Sequence, residues 1–124
     1  MATLNEGRHA GEFIGELAMG IGYHTETVTV LSGQDLVAGA VVGRQTSGGK
    51  YVAYDNAGTD DGRRAVAGIL FDNVNASAAD AVGVVLLRGP AIVNKNDLVW
   101  ASGIDAAEQA AAITALMALG IKAV

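Results

Sequence analysis

Two histidines, one acidic loop and a few glycine spacings are the places where this chain could carry chemistry. His9 and His24 could act as bases or metal ligands, but neither has another ligand four residues away on a predicted helix. Both therefore read as solvent or interface contacts. Asp55-Asn56-Ala57-Gly58-Thr59-Asp60-Asp61-Gly62 begins like a calcium loop, yet Ala57 and Thr59 occupy positions meant for alternating ligands and no Glu closes it. It reads as a solvated turn. Gly20-Ile21-Gly22 precedes a strand rather than following one, and lacks the third glycine of a dinucleotide fingerprint. Gly11 and Gly15 have the spacing of a small-residue helix contact, without the long apolar span that gives that motif meaning. Ser32, Ser47, Ser77 and Ser102 sit in turn-like surroundings with no nucleophile elbow. Arg63-Arg64 beside Asp60-Asp61 reads as a self-compensating surface loop. No catalytic residue, metal site or cofactor site is expected, and the chain does not read as an enzyme.

The elements around these residues are mostly strands. Thr25 to Leu31 alternates β-branched and polar residues as a half-buried strand does. Ser32-Gly33-Gln34-Asp35 is a turn, and Leu36 to Val42 is an apolar run expected to form one buried strand bent at Gly39. Thr46-Ser47-Gly48-Gly49 links that region to Lys50-Tyr51-Val52-Ala53-Tyr54 as a hairpin. Apolar runs at 65–71, 82–87 and 91–93 follow, with Pro90 at a strand boundary. Asp105 with Glu108 three residues later starts a capping box, and Gly120 stops the helix, so a helix is predicted over about 105–119. Ile113 and Leu116, with Met117 beside them, are expected to dock it on the strands, and Ile121 to Val124 to end as a short strand.

Residues 1–22 stand apart. Glycines at 7, 11, 15, 20 and 22 interrupt Phe13, Ile14, Leu17, Met19 and Ile21, so neither the helical nor the strand period survives. Fixing such a segment costs roughly 1–2 kcal/mol per residue, whereas each buried apolar side chain returns about 1.5–3 kcal/mol. The expectation is an N-terminal arm, 1–22, that orders only against a neighbour, by strand addition, on a β-rich body, 23–124.

Chain-wide composition narrows the class. A chain of 124 residues supports one core, and 51% hydrophobic against 17% charged residues leaves apolar surface for a partner. With 8 Lys+Arg against 13 Asp+Glu, and no basic stripe or basic-aromatic groove, nucleic acid is not an expected partner. The absence of Cys excludes a disulfide framework and thiolate metal sites. The longest late charge-free run, 109–121, is too short to span a bilayer, and the N-terminus lacks a basic region followed by an apolar core, so neither a membrane partner nor a signal peptide is expected.

Gly49-Lys50-Tyr51-Val52-Ala53-Tyr54-Asp55, the Asp61-Gly62 turn, Ala65-Val66-Ala67-Gly68-Ile69-Leu70, Asp97-Leu98-Val99-Trp100 and the Ala-rich helix ending Leu119-Gly120-Ile121 together resemble the lambda-type phage head decoration proteins. The opening His9-Ala10-Gly11-Glu12-Phe13-Ile14 resembles the arm of prophage members, so the likeness covers nearly the whole chain. The arm departs from lambda's own in being apolar and Gly-spaced rather than rich in Pro and Ala.

The resemblance implies a mainly β domain with one C-terminal helix, of the β-clip or β-tulip kind, carrying an extended N-terminal arm. It implies a homotrimer, made in the host cytoplasm, that sits on the outer surface of the mature expanded capsid and reinforces it against genome pressure. The partner it implies is the phage major capsid protein, at threefold and quasi-threefold sites, with capsid contacts carried by His9, Ala10, Gly11, Glu12, Phe13 and Ile14, then Leu17, Met19 and Ile21. Removing residues 1–22 would then leave a folded body that no longer binds capsids. A rival reading from composition and short strands is another self-assembling phage or surface subunit, of the tail-tube or fibre kind. A small-molecule binding domain or enzyme ranks third, because no polar constellation supports it.

Overall fold

The computed structural model describes residues 9–124 as a mainly β protein with one long helix near the C-terminus. Among the described residues ten strands form three sheets: β1 (Ile14–Leu17), β2 (Thr25–Val30), β3 (Gln34–Leu36), β4 (Val41–Arg44), β5 (Tyr51–Ala53), β6 (Gly68–Leu70), β7 (Val74–Ala76), β8 (Ala81–Leu86), β9 (Ala91–Val93) and β10 (Ile121–Ala123). A one-turn helix α1 (Ile21–His24) precedes β2, and α2 (Ala106–Ala118) precedes β10. Strands β2-β5-β4-β6-β8 close a small barrel, β3 pairs with β7, and β1-β9-β10 form a three-stranded sheet with β9 in the middle.

Two buried clusters, on opposite faces of shared strands instead of the one core expected, explain why the central runs are continuously apolar instead of alternating. Val41, Ile69 and Leu86 pack in one cluster with Phe13, Val93, Leu116 and Ile121, beneath α2 and the three-stranded sheet. Their chain neighbours Val42, Leu70 and Val85 point the other way, into a second cluster with Val30, Tyr51 and Val74. A strand covered on both faces needs apolar side chains at every position, whereas β2, with only one face covered, keeps the Thr-Glu-Thr-Val-Thr-Val alternation.

The β4–β5 hairpin forms as expected, with Gly48 at φ 83° and Gly49 at φ 69°, a region that L side chains rarely enter. The Leu36–Val42 run does not form one bent strand. It divides between β3 and β4 because Gly39, at φ 93°, reverses the chain direction and sends each half to a different sheet. Strand β7 escapes sequence reading altogether, since its three residues pair with β3 only through long-range contact.

Helix α2 carries the capping box: the Asp105 carboxylate accepts the Glu108 N–H at 2.8 Å, and the Glu108 carboxylate accepts the Asp105 N–H at 3.3 Å. Its buried stripe is Ala112 and Leu116, one turn apart, with Ile113 half-buried at its margin. Met117, expected to dock, lies 54% exposed, because it is about 100° around the helix from Leu116. Tyr54 belongs to the core, and Trp100 packs half-buried against the same cluster.

The described part of the N-terminal segment folds onto its own chain. Strand β1 pairs antiparallel with β9, Asn94 N–H donates to the Phe13 carbonyl at 2.9 Å, and Ala18 N–H donates to the Pro90 carbonyl at 3.1 Å. Phe13 is completely buried. Strand β1 takes the open edge of β9 and Phe13 anchors it in the core, so the described part of the segment forms a strand within its own chain. Residues 1–8, which complete the expected arm, lie outside the described residues.

The acidic loop is a turn stapled by its own charges. Arg63 donates to both carboxylate oxygens of Asp61, at 3.0 and 2.9 Å, Gln45 Nε2 adds a third bond at 2.9 Å, and Arg64 Nε donates to the Gly58 carbonyl at 2.8 Å. The hydrogen-bonded Arg63 guanidinium, with Gln45 next, holds the Asp61 carboxyl well below the usual carboxylate range. The Lys50 ammonium lowers Asp80 in the same direction. A carboxyl whose folded-state value is depressed contributes stability above its unfolded value, about 3.9, and that contribution disappears as pH falls through the folded value. Urea midpoints are therefore expected to decline on acidification below about pH 4, and Asp61→Asn to flatten part of that decline. Identical pH slopes for the two proteins would remove Asp61 from the account.

A buried histidine holds an exposed apolar segment

His24 is fully buried, contrary to its reading as a solvent or interface contact. Its Nδ1 lies 2.9 Å from the Arg88 carbonyl, and its Nε2 lies 3.1 Å from the Met19 backbone nitrogen. A carbonyl can only accept and an amide N–H can only donate, so Nδ1 carries the proton and Nε2 accepts. The ring is thereby a neutral tautomer that ties residue 19 to the end of β8, each of its nitrogens satisfied without water.

The turn between these anchors is short and self-contained. Tyr23 N–H donates to the Gly20 carbonyl at 3.0 Å, and Thr25 Oγ1 donates to the Ile21 carbonyl at 2.9 Å. Arg88 braces it from outside: Nη1 donates to the Tyr23 carbonyl at 2.6 Å, Nη2 pairs with Glu26 at 2.7 Å, and the guanidinium stands 5.8 Å from the centre of the Tyr23 ring. The Tyr23 ring meets His24 edge-on, centroids 5.2 Å apart.

With its one histidine turned inward, the segment leaves its large apolar side chains exposed. Met19 is 57%, Ile21 46% and Tyr23 49% exposed. Three such exposed apolar residues within five positions make this short segment a candidate interaction surface. Beside it, β1 is an edge strand, paired with β9 on one side only.

The nine candidate contact residues separate by burial. His9, Ala10, Glu12, Met19 and Ile21 are exposed, while Gly11, Ile14 and Leu17 are half-buried. Phe13 is inside the core and presents no surface in this conformation, and Gly11 is pinned by its N–H to the Phe71 carbonyl at 2.8 Å. Tyr23, His24 and Arg88 were not among the candidates. No sequence spacing could have joined them, because Arg88 is 64 residues from His24. Among the described residues no three acidic or histidine side chains are grouped to hold a metal ion.

A family model described as bacteriophage lambda head decoration protein D matches residues 3–121 of the chain. The chain belongs to this family. No curated protein matches it. The family places this head decoration protein among phage capsid components, with a structural role as a decoration of the head. Its members are structural proteins and not known as enzymes. No helix among the described residues is long and apolar enough to cross a membrane.

Proposed function

We propose that three copies assemble on the outer surface of the mature, expanded capsid at threefold and quasi-threefold sites and reinforce the shell against the pressure of the packaged genome. The observation that carries this reading is the exposed Met19–Ile21–Tyr23 patch, held by His24 next to the unpaired edge of β1. The patch supplies apolar contact to the major capsid protein, and the β1 edge offers backbone groups to a capsid strand. His9, Ala10 and Glu12, exposed just before β1, add candidate contacts at its other end. In a trimer, each docking after the first is effectively intramolecular, so three modest contacts give firm attachment. Preference for the expanded shell follows from geometry, because only one spacing of capsid subunits lets all three sites engage at once.

Size exclusion with light scattering, followed by co-sedimentation with expanded and immature shells of a matching phage, tests the proposal. A discrete trimer that sediments with expanded shells alone is the expected result. Open filaments would point to the tail-tube or fibre class, and a monomer that ignores both shells would overturn the decoration mechanism. Replacing Met19, Ile21 and Tyr23 together by serine is expected to weaken sedimentation by more than about a hundredfold across the trimer with little change in thermal midpoint. Undiminished binding by that variant would remove the patch from the contact.

A further inference from the structure

The barrel closes through an unusually short junction. Strand β2 pairs with β8 over six residues, Thr25↔Leu86 through Val30↔Ala81, but with β5 at only one, Val30↔Tyr51, supported by Leu31 N–H to the Tyr51 carbonyl at 3.0 Å. Ahead of that point β2 and the β4–β5 hairpin diverge, leaving a groove lined by Thr27, Thr29, Arg44, Lys50 and Tyr51, with Glu26, paired to Arg88, at its edge.

Backbone polarity in the groove follows from the ladder. Antiparallel pairs alternate between those that exchange hydrogen bonds and those that do not. Leu87 N–H donates to the His24 carbonyl at 2.9 Å, so His24, Glu26, Val28 and Val30 direct their peptide groups toward β8. Thr27 and Thr29 direct theirs the other way. The Thr27 N–H and C=O and the Thr29 N–H therefore open into the groove, on residues that are themselves exposed.

A charge stands across from them. Arg63, Arg88 and Lys50 each have an acidic partner, at 2.9, 2.7 and 2.6 Å, whereas Arg44 is exposed and forms no ion pair among the described residues. Its guanidinium lies over the hairpin beside the groove, with Nη2 2.8 Å from where a Cβ on Gly49 would stand.

We propose that this groove receives an extended, acidic segment of the major capsid protein, which adds to β2 as a further strand and sets a carboxylate on Arg44. Strand addition uses the free peptide groups of Thr27 and Thr29, and the Arg44–carboxylate pair fixes the register. The donor is taken to be the shell because Glu26, at one end of the groove, pairs with the Arg88 that braces Tyr23, so a capsid surface docked on Tyr23 as proposed above would lie next to the groove. This contact rests on the decoration mechanism proposed above and adds a second site to it, distinct from the N-terminal segment.

Two variants test it with the full chain and expanded shells. Thr27→Pro removes the outward N–H without touching the β8 ladder, and Arg44→Glu reverses the charge on an exposed side chain. Each is expected to weaken co-sedimentation by about tenfold or more while the free protein keeps its association state, and Arg44→Lys is expected to retain most of the binding. Wild-type binding by both variants overturns the proposal, and if Thr27→Pro fails to fold, Arg44→Glu decides alone. A changed association state of the free protein also overturns it, by showing that a second copy fills the groove. Wild-type protein that ignores expanded shells would instead defeat the decoration mechanism itself.

Discussion

Phe13→Ala is expected to lower the unfolding free energy by about 3–5 kcal/mol, the range for deleting a fully buried aromatic side chain that leaves a cavity. Phe13 is completely buried, in one cluster with Ile69, Leu86, Val93, Leu116 and Ile121. It joins three parts of the molecule that are distant in sequence: β1, the barrel and α2 with its following strand. Collapse around the missing ring is limited because the barrel and β9 hold the other walls. Urea titration followed by the fluorescence of Trp100, which packs against this cluster, measures the change. A loss below about 1 kcal/mol would mean that the N-terminal segment is undocked in solution and becomes ordered only on a partner. The same burial alters what deletion of residues 1–22 does. That deletion removes β1 and the Phe13 anchor, so lost capsid binding would follow from a damaged body as readily as from a lost contact, and the serine variants of Met19, Ile21 and Tyr23 are the cleaner probe.

His24→Leu is expected to cost about 1–3 kcal/mol for each backbone group it leaves unpaired in the interior. Leucine keeps much of the volume but can neither accept from Met19 N–H nor donate to the Arg88 carbonyl. The penalty falls where function is proposed, because these two bonds hold the turn that displays Met19, Ile21 and Tyr23. Amide hydrogen exchange at Met19 should accelerate in the variant, and sedimentation with expanded shells should weaken although none of the three exposed side chains has changed. Unaltered exchange at Met19 would show that the imidazole is not its partner. Faster exchange with undiminished binding would separate the histidine from display of the patch.

Much of the architecture was legible because it depends on neighbours in the chain. The β2 alternation, the glycine hairpin at 48–49, the Asp105–Glu108 box and the stop at Gly120 are each decided within a few residues by propensity, left-handed backbone or a local hydrogen bond. The Leu36–Val42 run misled because hydrophobicity says that a segment is buried without saying in which sheet. Gly39 decides that only through where each half finds a partner. Burial on both faces also hides the strand period, so β6 and β8 could be located but their faces could not be assigned.

The candidate site divides in the same way. Two of its apolar members, Met19 and Ile21, were visible as hydrophobic residues in a glycine-spaced segment with no regular period, and the distributed family resemblance pointed to the same stretch. Their display was not visible. Phe13 and Met19 look alike as apolar residues of one segment, yet one is fully buried and the other mostly exposed. What separates them is the position of β9 and of the Arg88 carbonyl, contributed from more than sixty residues away. The sequence by itself determined the class: a small, cysteine-free, apolar β protein with a capped helix and no constellation for catalysis. Only the tertiary structure decided which apolar residues make the core and which face a partner, because that choice depends on long-range pairing energies that no local pattern encodes.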